Sequence, residues 1–162
     1  QLLYASITRV YLQSRKRFWI EEGVRGSFNL DHPIMQVREH PMSEPGRRGI
    51  LEAYMWDPHA RRVTAMKESE RISFALEQIE KLHPGIRQNF EGGTSKCWEE
   101  DEWARGCQSR FKPGQMSSLL PHIARPEGRV HFAGEHTSAW TGTMEGALES
   151  GNRTAREVNE AP

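Results

Sequence analysis

The sequence predicts an α+β fold, and three observations support this class. Residues 6–12 and 49–56 are rich in β-branched, aromatic and aliphatic side chains and are typical of strands. Residues 68–82 repeat apolar side chains at helical spacing, and residues 144–158 do so again. Prolines and glycines separate these segments and indicate loops between them. The chain is therefore expected to combine strands with two principal helices.

The bulk composition gives no support to two classes of partner. The chain has 162 residues, the size of one ordinary domain, and its 22 basic and 22 acidic side chains cancel to a net charge of zero. It has no apolar run of 18 residues and no amino-terminal order typical of a signal peptide. We expect neither nucleic acid nor a membrane as a partner.

The composition also suggests a piece of a larger fold. Hydrophobic residues make up 36% of the chain. The mean hydropathy is −0.76, which is polar for a chain that must build a whole core by itself. A strand pattern begins at Ser6, so almost nothing precedes it. We therefore expect a fragment.

The first half of the chain contains two predicted strands and one predicted helix. The first strand places Thr8, Val10 and Leu12 on one face, and residues 28–48 are expected to be mostly irregular. The second strand, residues 49–56, should stop at Asp57-Pro58, because the residue before proline is driven out of helical conformation. The helix follows at residues 68–82 and should end at His83-Pro84-Gly85. Its apolar positions are Ile72, Ala75, Leu76, Ile79 and Leu82.

The second half is predicted to be mostly loop until its last strand and helix. A loop carrying Trp98, Trp103 and Cys107 precedes a turn at residues 112–114 and a short helix near residues 118–120. A final strand is expected at residues 129–133. The final helix should place one apolar stripe against a neighbour, and the stripe consists of Met144, Ala147, Leu148, Gly151, Ala155 and Val158. Three glycines, Gly142, Gly146 and Gly151, weaken this helix and predict a close approach to it.

The junction before the final helix has the chemistry of a cofactor site. Gly134 allows a ligand to approach the backbone, and Glu135 can accept hydrogen bonds from sugar-type hydroxyls. The helix start supplies N–H donors at Thr143 and Met144, which suit a phosphate or a ring carbonyl. These groups together would hold a cofactor with a polyol, a pyrophosphate and a ring carbonyl. A purely structural junction is the alternative.

Several segments resemble the FAD-dependent monoamine and L-amino-acid oxidases. The carboxy-terminal signature of that family resembles RVHFAGEHT at residues 129–137, GTMEGA at 142–147 and SGNRTAR at 150–156. The likeness extends to Val10-Tyr11-Leu12 with Phe18-Trp19, to residues 49–54, and to residues 98–115, which begin at a tryptophan and end in Pro-Gly-Gln. Within the family, the chain is most similar to secreted bacterial L-glutamate oxidases.

The resemblance implies a division of the chain and a set of partners. Residues 1–95 would be part of the substrate-binding domain, and residues 96–162 would be the carboxy-terminal part of the FAD-binding domain. The family's dinucleotide-binding GxGxxG motif is absent from the chain. The expectation is therefore a proteolytically processed, extracellular piece that is inactive alone. Other chains of the same precursor would complete it in a hetero-oligomer that dimerises.

The resemblance also implies a reaction. An L-amino acid, by this likeness L-glutamate, would be oxidised with dioxygen to a 2-oxo acid, ammonia and hydrogen peroxide. Two alternatives stay open: an amine or polyamine oxidase fragment, and a noncatalytic assembly fragment without flavin.

Residue roles follow from the same resemblance, and no catalytic residue is expected in this chain. Glu135 would bind the ribityl or phosphate region of FAD, and the Met144 N–H would face flavin O2. Tyr54 would bond the substrate carboxylate. The expected cofactor-binding residues are Gly134, Glu135, Gly142, Thr143 and Met144. The expected substrate-binding residues are Tyr54, Trp56, Trp140 and Thr143.

The two cysteines and two of the histidines give weaker indications of function than the residues above. Cys97 and Cys107 could form a disulfide, and two unpaired thiols are the favoured interpretation. Cys107 lies near the position of the cysteine that bonds flavin in covalent amine oxidases, but its spacing to Pro113-Gly114-Gln115 fits noncovalent FAD better. His131 and His136 do not have helical metal-ligand spacing, so no metal is expected.

Overall fold

A computed structural model describes residues 2–40 and 48–161 of the chain. The chain divides into two compact units, which we call the sheet unit, residues 6–106, and the terminal unit, formed by the residues before and after it. The expected α+β class is confirmed, since both units combine helices with strands. Within the described residues, no helix has the length and apolarity needed to cross a membrane.

In the described residues, seven strands form two antiparallel sheets. The sheet unit contains five strands in the order β3-β4-β5-β2-β6, and the terminal unit contains the pair β1-β7. The strands are β1 Leu3–Ala5, β2 Ile7–Ser14, β3 Phe28–Asn29, β4 Gln36–Glu39, β5 Gly49–Trp56, β6 Phe90–Cys97 and β7 Gln108–Arg110.

The two predicted strands are confirmed as β2 and β5, and they pair with each other along their whole length. The register runs from Ile7 opposite Trp56 to Ser14 opposite Gly49. Val10 and Leu12 of β2 belong to the buried core cluster. Because side chains alternate across a strand, the intervening residues of β2 lie on the other face of the sheet.

Six α-helices accompany the sheets within the described parts of the chain. They are α1 Asp57–Thr64, α2 Glu68–Glu80, α3 Ile86–Asn89, α4 Gln115–Ser118, α5 Leu120–Ile123 and α6 Met144–Glu160. The predicted helix at residues 68–82 is confirmed as α2. Its start is fixed by the Glu70 carboxylate, which accepts a hydrogen bond from the Lys67 N–H at 2.8 Å. Ala75 and Ile79 of α2 are fully buried and pack in the same core as β2.

The strand β5 stops at Trp56, as predicted. A helix that the sequence analysis did not predict, α1, begins at Asp57. Pro58 lies in the first turn of α1, where its missing N–H leaves no helical hydrogen bond unmade. The Asp57 N–H instead donates to the Ser6 carbonyl at 2.8 Å, which ties the junction to the start of β2.

One expectation of irregular structure was wrong, and a second holds with a qualification in detail. The predicted loop after α2 contains β6, whose polar and glycine-rich sequence gives no strand signal but pairs with the edge of β2. The described part of residues 28–48 is mostly irregular, as expected, although it contains the short strands β3 and β4, and residues 41–47 lie outside the described residues. Pairing to a neighbouring strand, rather than local propensity, creates these strands.

The predicted final strand, residues 129–133, does not form in the described structure. Only an isolated bridge joins Glu127 to Val130. The Phe132 carbonyl, which a strand partner would use, accepts hydrogen bonds from the side chains of Arg153 and Thr154 at 3.0 Å each. A strand needs a partner's N–H and C=O groups, and helix α6 supplies the partners here.

Gly49 and Gly92 offer a matched test of the packing in the sheet unit. A Cβ at Gly49 would lie 2.2 Å from Cη2 of the buried Trp19, whereas a Cβ at Gly92 would meet nothing within 4 Å. We predict that Gly49→Ala lowers the free energy of unfolding by about 1–3 kcal/mol through overpacking. Gly92→Ala should leave it unchanged or raise it slightly. Chemical denaturation of the protein containing this chain measures both, and equal values for the two variants would contradict the prediction.

Candidate functional site

Helix α6 begins at a capped and polarised amino terminus. Thr143 is the N-cap residue, and its Oγ1 accepts a hydrogen bond from the Gly146 N–H at 3.0 Å. The same hydroxyl donates to the Trp140 carbonyl at 2.7 Å. Met144 is the first residue of a 17-residue helix, so its N–H has no acceptor one turn earlier within the helix. This N–H and the helix dipole favour an electron-rich group at the helix start.

The turn before α6 depends on glycine. Gly134 and Gly142 have φ values of +136° and +72°, in the region that favours glycine. A Cβ at Gly146 would lie 2.1 Å from the Trp140 carbonyl oxygen, so the close approach expected at this residue is confirmed. Gly151 is different, because a Cβ there would meet nothing within 4 Å. Gly134, Gly142 and Gly146 therefore each have a local structural reason to be glycine, and Gly151 has none.

Glu135 holds the turn together from inside the terminal unit. One carboxylate oxygen accepts from the Ser109 N–H at 2.7 Å, and the other accepts from the Ser109 hydroxyl at 2.7 Å and the Gly142 N–H at 2.6 Å. The carboxylate thus joins β7 to the turn that leads into α6. No local pattern indicates this link, because Ser109 lies 26 residues before Glu135.

The hydrogen bonds on Glu135 favour its ionised form. Burial alone would raise the pKa of this carboxyl group, but the bonds from Ser109 and Gly142 outweigh burial, and the pKa lies below its ordinary value. An ionised carboxylate offers about four acceptor positions, and three are used within the chain. The geometry shows Glu135 organising the turn, and its expected contact with FAD stays a prediction.

Helix α6 packs against the rest of the terminal unit with its polar face, not with its apolar stripe. Ser150 Oγ accepts from the Gly134 N–H at 2.9 Å. Arg153 donates to the Phe132 carbonyl and to Thr137 Oγ1, each at 3.0 Å, and to Glu157 at 2.6 Å. Within the described chain the apolar stripe has no packing partner, so its predicted packing against a neighbour stays a prediction. Its large side chains are exposed, at 80% for Met144, 68% for Leu148 and 56% for Val158.

The expected substrate residues lie in different units of the chain. Tyr54 and Trp56 belong to β5 of the sheet unit, and their ring centroids are 6.2 Å apart. Trp140 and Thr143 belong to the terminal unit, where Trp140 is exposed and Thr143 caps α6. Of the four expected substrate residues, the structure therefore brings Tyr54 and Trp56 into contact within the sheet unit.

Tyr54 has neighbours that the sequence did not reveal. The guanidinium carbon of Arg38 lies 4.2 Å from the Tyr54 ring centroid, and that of Arg9 lies 5.1 Å from it. Tyr54 as a whole is only 9% exposed. Arg9 and Tyr54 are direct partners in the β2–β5 register, whereas the Arg38 contact crosses from β4. Predicting this cluster would have required the register of the sheet, which local sequence patterns do not reveal.

The two cysteines differ in exposure, and the potential metal ligands of the described residues do not cluster. Cys97 is buried and Cys107 is exposed, and the two sulfurs are not bonded to each other. Among residues 2–40 and 48–161, no three His, Cys, Asp or Glu side chains come together as a metal site would require.

The comparisons with known proteins decide the family. Residues 1–159 match the family described as "Flavin containing amine oxidoreductase". The chain belongs to this family. The match covers both units, so the sheet unit and the terminal unit are two parts of one flavin amine oxidoreductase sequence.

Individual members of the family share the chain's sequence and fold. YobN of Bacillus subtilis (strain 168), whose assignment as an L-amino-acid oxidase is provisional, is 36% identical over 166 residues, which cover all of this chain and 35% of YobN. The L-glutamate oxidase precursor of Streptomyces diastatochromogenes is 41% identical over 128 residues, 76% of this chain and 20% of that protein. A putrescine oxidase variant with a redesigned cofactor site has the same fold, with a TM-score of 0.85 at 24% identity over 99% of this chain and 36% of that chain. The present chain therefore matches only about a third or less of the length of each of these relatives.

The residues at the start of α6 fit part of a flavin. The exposed first turn offers a backbone N–H at Met144, and the glycines at 134 and 142 keep side chains away from the turn. Glu135 fits less directly, because its oxygens already bind Ser109 and Gly142. The described residues therefore suit the ring carbonyl end of a flavin better than its ribityl chain.

Two glycines of α6 test this helix start. Gly146→Ala places a methyl group against the Trp140 carbonyl, so we predict a loss of about 1–3 kcal/mol in the free energy of unfolding. Gly151→Ala is the matched control in the same helix and should raise stability by up to about 1 kcal/mol, because alanine has the higher helix propensity. Thermal and urea unfolding of the protein containing this chain measure both. A harmless Gly146→Ala would show that the turn is not packed as described.

The Glu135 hydrogen bonds predict a pH dependence. The folded-state pKa lies below the unfolded-state value, so the ionised carboxylate contributes stability above the unfolded-state pKa and loses it as the pH falls through the folded-state pKa. Glu135→Gln should cost about 1–3 kcal/mol at pH 7, since its amide group would face N–H donors. The difference between wild type and variant should shrink below about pH 4.5, the ordinary value for a glutamic acid side chain. Unfolding free energies across pH measure this, with the exposed Glu149→Gln as control.

Proposed function

We propose that this chain is the carboxy-terminal part of an FAD-dependent oxidase that deaminates an L-amino acid, with L-glutamate as the expected substrate. The observation that carries the proposal is the family match over residues 1–159, combined with a capped, exposed helix start that suits a flavin ring. The identity of 41% to an L-glutamate oxidase precursor supports the substrate. Products would be a 2-oxo acid, ammonia and hydrogen peroxide, with dioxygen as the oxidant.

The rest of the oxidase must come from outside these residues. Relatives are roughly three to four times longer, since the matched segments are 35% and 20% of the lengths of the two described above. The missing GxGxxG motif would lie in that remainder, on the same precursor or on a separate chain cut from it. A relative that is named as a precursor supports processing, and with it an extracellular location. Noncovalent FAD is proposed, because the spacing from Cys107 to Pro113-Gly114-Gln115 fits the noncovalent amino-acid oxidases better than the covalent amine oxidases.

The bound flavin would accept the two electrons and the hydrogen from the substrate α-carbon and pass the electrons to dioxygen. Within this chain, the Met144 N–H and the start of α6 would bind the electron-rich carbonyl of the ring and favour negative charge there. The link from Glu135 to Ser109 and Gly142 would keep this helix start in place. No residue of the chain is required to remove a proton.

The sheet unit would contribute to substrate binding. The Tyr54 hydroxyl is proposed to donate a hydrogen bond to the α-carboxylate, and the neighbouring Trp56 would bound the apolar part of the pocket. Orientation of the α-carbon relative to the flavin is the main contribution that such residues make to the rate. Trp140 and Thr143 are proposed as further pocket residues of the terminal unit.

A spectrum and a substrate panel test the function. We expect the purified complete protein to show the absorption bands of bound flavin and to release peroxide with L-glutamate. The panel should also contain neutral L-amino acids and putrescine, because a fold shared with putrescine oxidase leaves an amine oxidase as the second candidate. Peroxide release with putrescine alone would replace the proposal with amine oxidation, and a protein without flavin bands would leave a noncatalytic assembly role.

Tyr54→Phe tests the substrate side of the proposal. The variant loses one hydrogen bond to a charged group, so we expect KM for an amino-acid substrate to rise roughly 10- to 100-fold. The ring contacts with Arg9 and Arg38 remain possible with phenylalanine, so flavin content and stability should stay unchanged. Steady-state kinetics with peroxide detection measure this change. An unaltered KM would remove Tyr54 from the carboxylate site.

A further inference from the structure

Arg153 connects helix α6 to the turn at residues 134–137. Its guanidinium donates to the Phe132 carbonyl and to the Thr137 hydroxyl oxygen, each at 3.0 Å. Thr137 is 5% exposed, and its own hydroxyl donates to the Gly134 carbonyl at 2.8 Å. Two successive hydrogen bonds therefore lead from the guanidinium through the hydroxyl to the peptide group that follows Gly134. We call these two bonds the Arg153–Thr137 relay.

Glu157 holds the guanidinium in this position. It lies one helical turn after Arg153, and one of its carboxylate oxygens accepts from Arg153 at 2.6 Å, while the other lies 3.2 Å from His131 Nδ1. The bond from Arg153, and then that from His131, lower the pKa of Glu157 below its ordinary value, so the carboxylate is ionised at neutral pH. The charge of Arg153 is thus balanced, and the side chain contributes a fixed geometry to the turn.

The peptide after Gly134 determines where the start of α6 lies. Glu135 follows this peptide, and its carboxylate accepts from the Gly142 N–H at 2.6 Å, two residues before the helix begins. Gly134 has a φ of +136°, and glycine restrains its own backbone less than any other residue. The restraint on its carbonyl comes from Thr137, whose N–H and hydroxyl both donate to it. Rotation of this peptide would move the Glu135 carboxylate and, with it, the helix start.

We propose that Arg153 is a positioning residue of the flavin site, which acts through the Thr137 hydroxyl on the Gly134 turn and the start of α6. The inference rests on the proposed function and adds Arg153 and Thr137 to the residues on which flavin binding depends. Arg153 lies nine residues after Met144, which is about 14 Å along the helix axis, so it does not touch a ring carbonyl bound at the helix start.

Titration of FAD into the apoprotein of the complete oxidase, followed by flavin fluorescence, tests the proposal. Arg153→Gln should raise the FAD dissociation constant roughly 10- to 100-fold, because the turn is no longer held in place. The flavin reduction potential should become more negative, since a displaced helix start stabilises the charge of the reduced ring less. Arg153→Lys, which keeps the charge and one donor group, should restore part of the affinity.

The matched control is Arg156→Gln, which makes the same change at an exposed position of the same helix. Its FAD dissociation constant should stay within about twofold of the wild type, as for a surface substitution. An equal rise in Arg153→Gln and Arg156→Gln would assign the effect to the charge of the helix and overturn the relay.

Variants of Thr137 isolate the relay itself. Thr137→Val removes the hydroxyl at similar volume and should raise the FAD dissociation constant about 3- to 10-fold, whereas Thr137→Ser keeps the hydroxyl and should bind FAD as the wild type does. Thr137→Val and Arg153→Gln interrupt the same relay, so the double variant should bind FAD no more weakly than Arg153→Gln alone. Effects that multiply in the double variant overturn the proposal, and so does wild-type affinity in Thr137→Val, whether or not Arg153→Gln folds.

Unfolding temperatures of the same apoproteins separate positioning from support of the fold. A variant Arg153→Gln that unfolds at a lower temperature but keeps the wild-type FAD dissociation constant and potential overturns the role of Arg153 in the flavin site. The proposed function fails differently, because a complete wild-type protein that binds no FAD overturns the function itself. A wild type that binds FAD, with the same affinity in every variant, overturns the positioning role and leaves the oxidase.

Discussion

The pairing of β2 with β5 is the constraint on which the sheet unit depends. Eight residue pairs join the two strands, and β6 pairs along the other edge of β2. Val10 and Leu12 are completely buried on one face, and burial of such side chains contributes about 1.5–3 kcal/mol each. A slip of one residue would expose them and would also turn Arg9 away from Tyr54. The apolar core thus fixes the arrangement of the charged face without contacting it.

The terminal unit is organised by polar bonds instead. Its longest element, α6, presents Gly146 and Ser150 to the rest of the unit, and these are its buried residues. The carboxylate of Glu135 and the guanidinium of Arg153 each bond several backbone or hydroxyl groups. A buried polar group without a partner is costly, so a network of this kind admits few alternative arrangements. Two different physical principles therefore hold the two units.

The sequence predicted the elements whose signal is local. The helix at 68–82 and the strand at 49–56 have strong periodicity or β-propensity, and both formed. Strand β6 was missed because its residues are polar and gain their conformation from β2. The strand expected at 129–133 failed for the opposite reason, since its pattern was suitable but its carbonyl at Phe132 bonds α6. Family signatures at 129–156 allowed the family assignment, which the comparisons confirmed.

The candidate site was predictable in part for the same reason. Gly134, Gly142 and Thr143 could be read from local turn and capping chemistry, and the structure gives each such a local role. The link from Glu135 to Ser109 and the stacking of Arg38 on Tyr54 join distant parts of the chain. Tertiary pairs of this kind leave no trace in spacing or composition, so a single sequence does not reveal them.

The exposed apolar stripe of α6 has a consequence for the chain's behaviour in solution. Met144, Leu148 and Val158 present apolar surface to water, and surfaces of this kind attract one another. Charge repulsion normally opposes such attraction, but this chain has a net charge of zero and a sequence pI of about 7.2. Its colloidal stability should therefore be lowest near neutral pH. Buffers well to either side of neutrality would keep separated molecules of the chain dispersed.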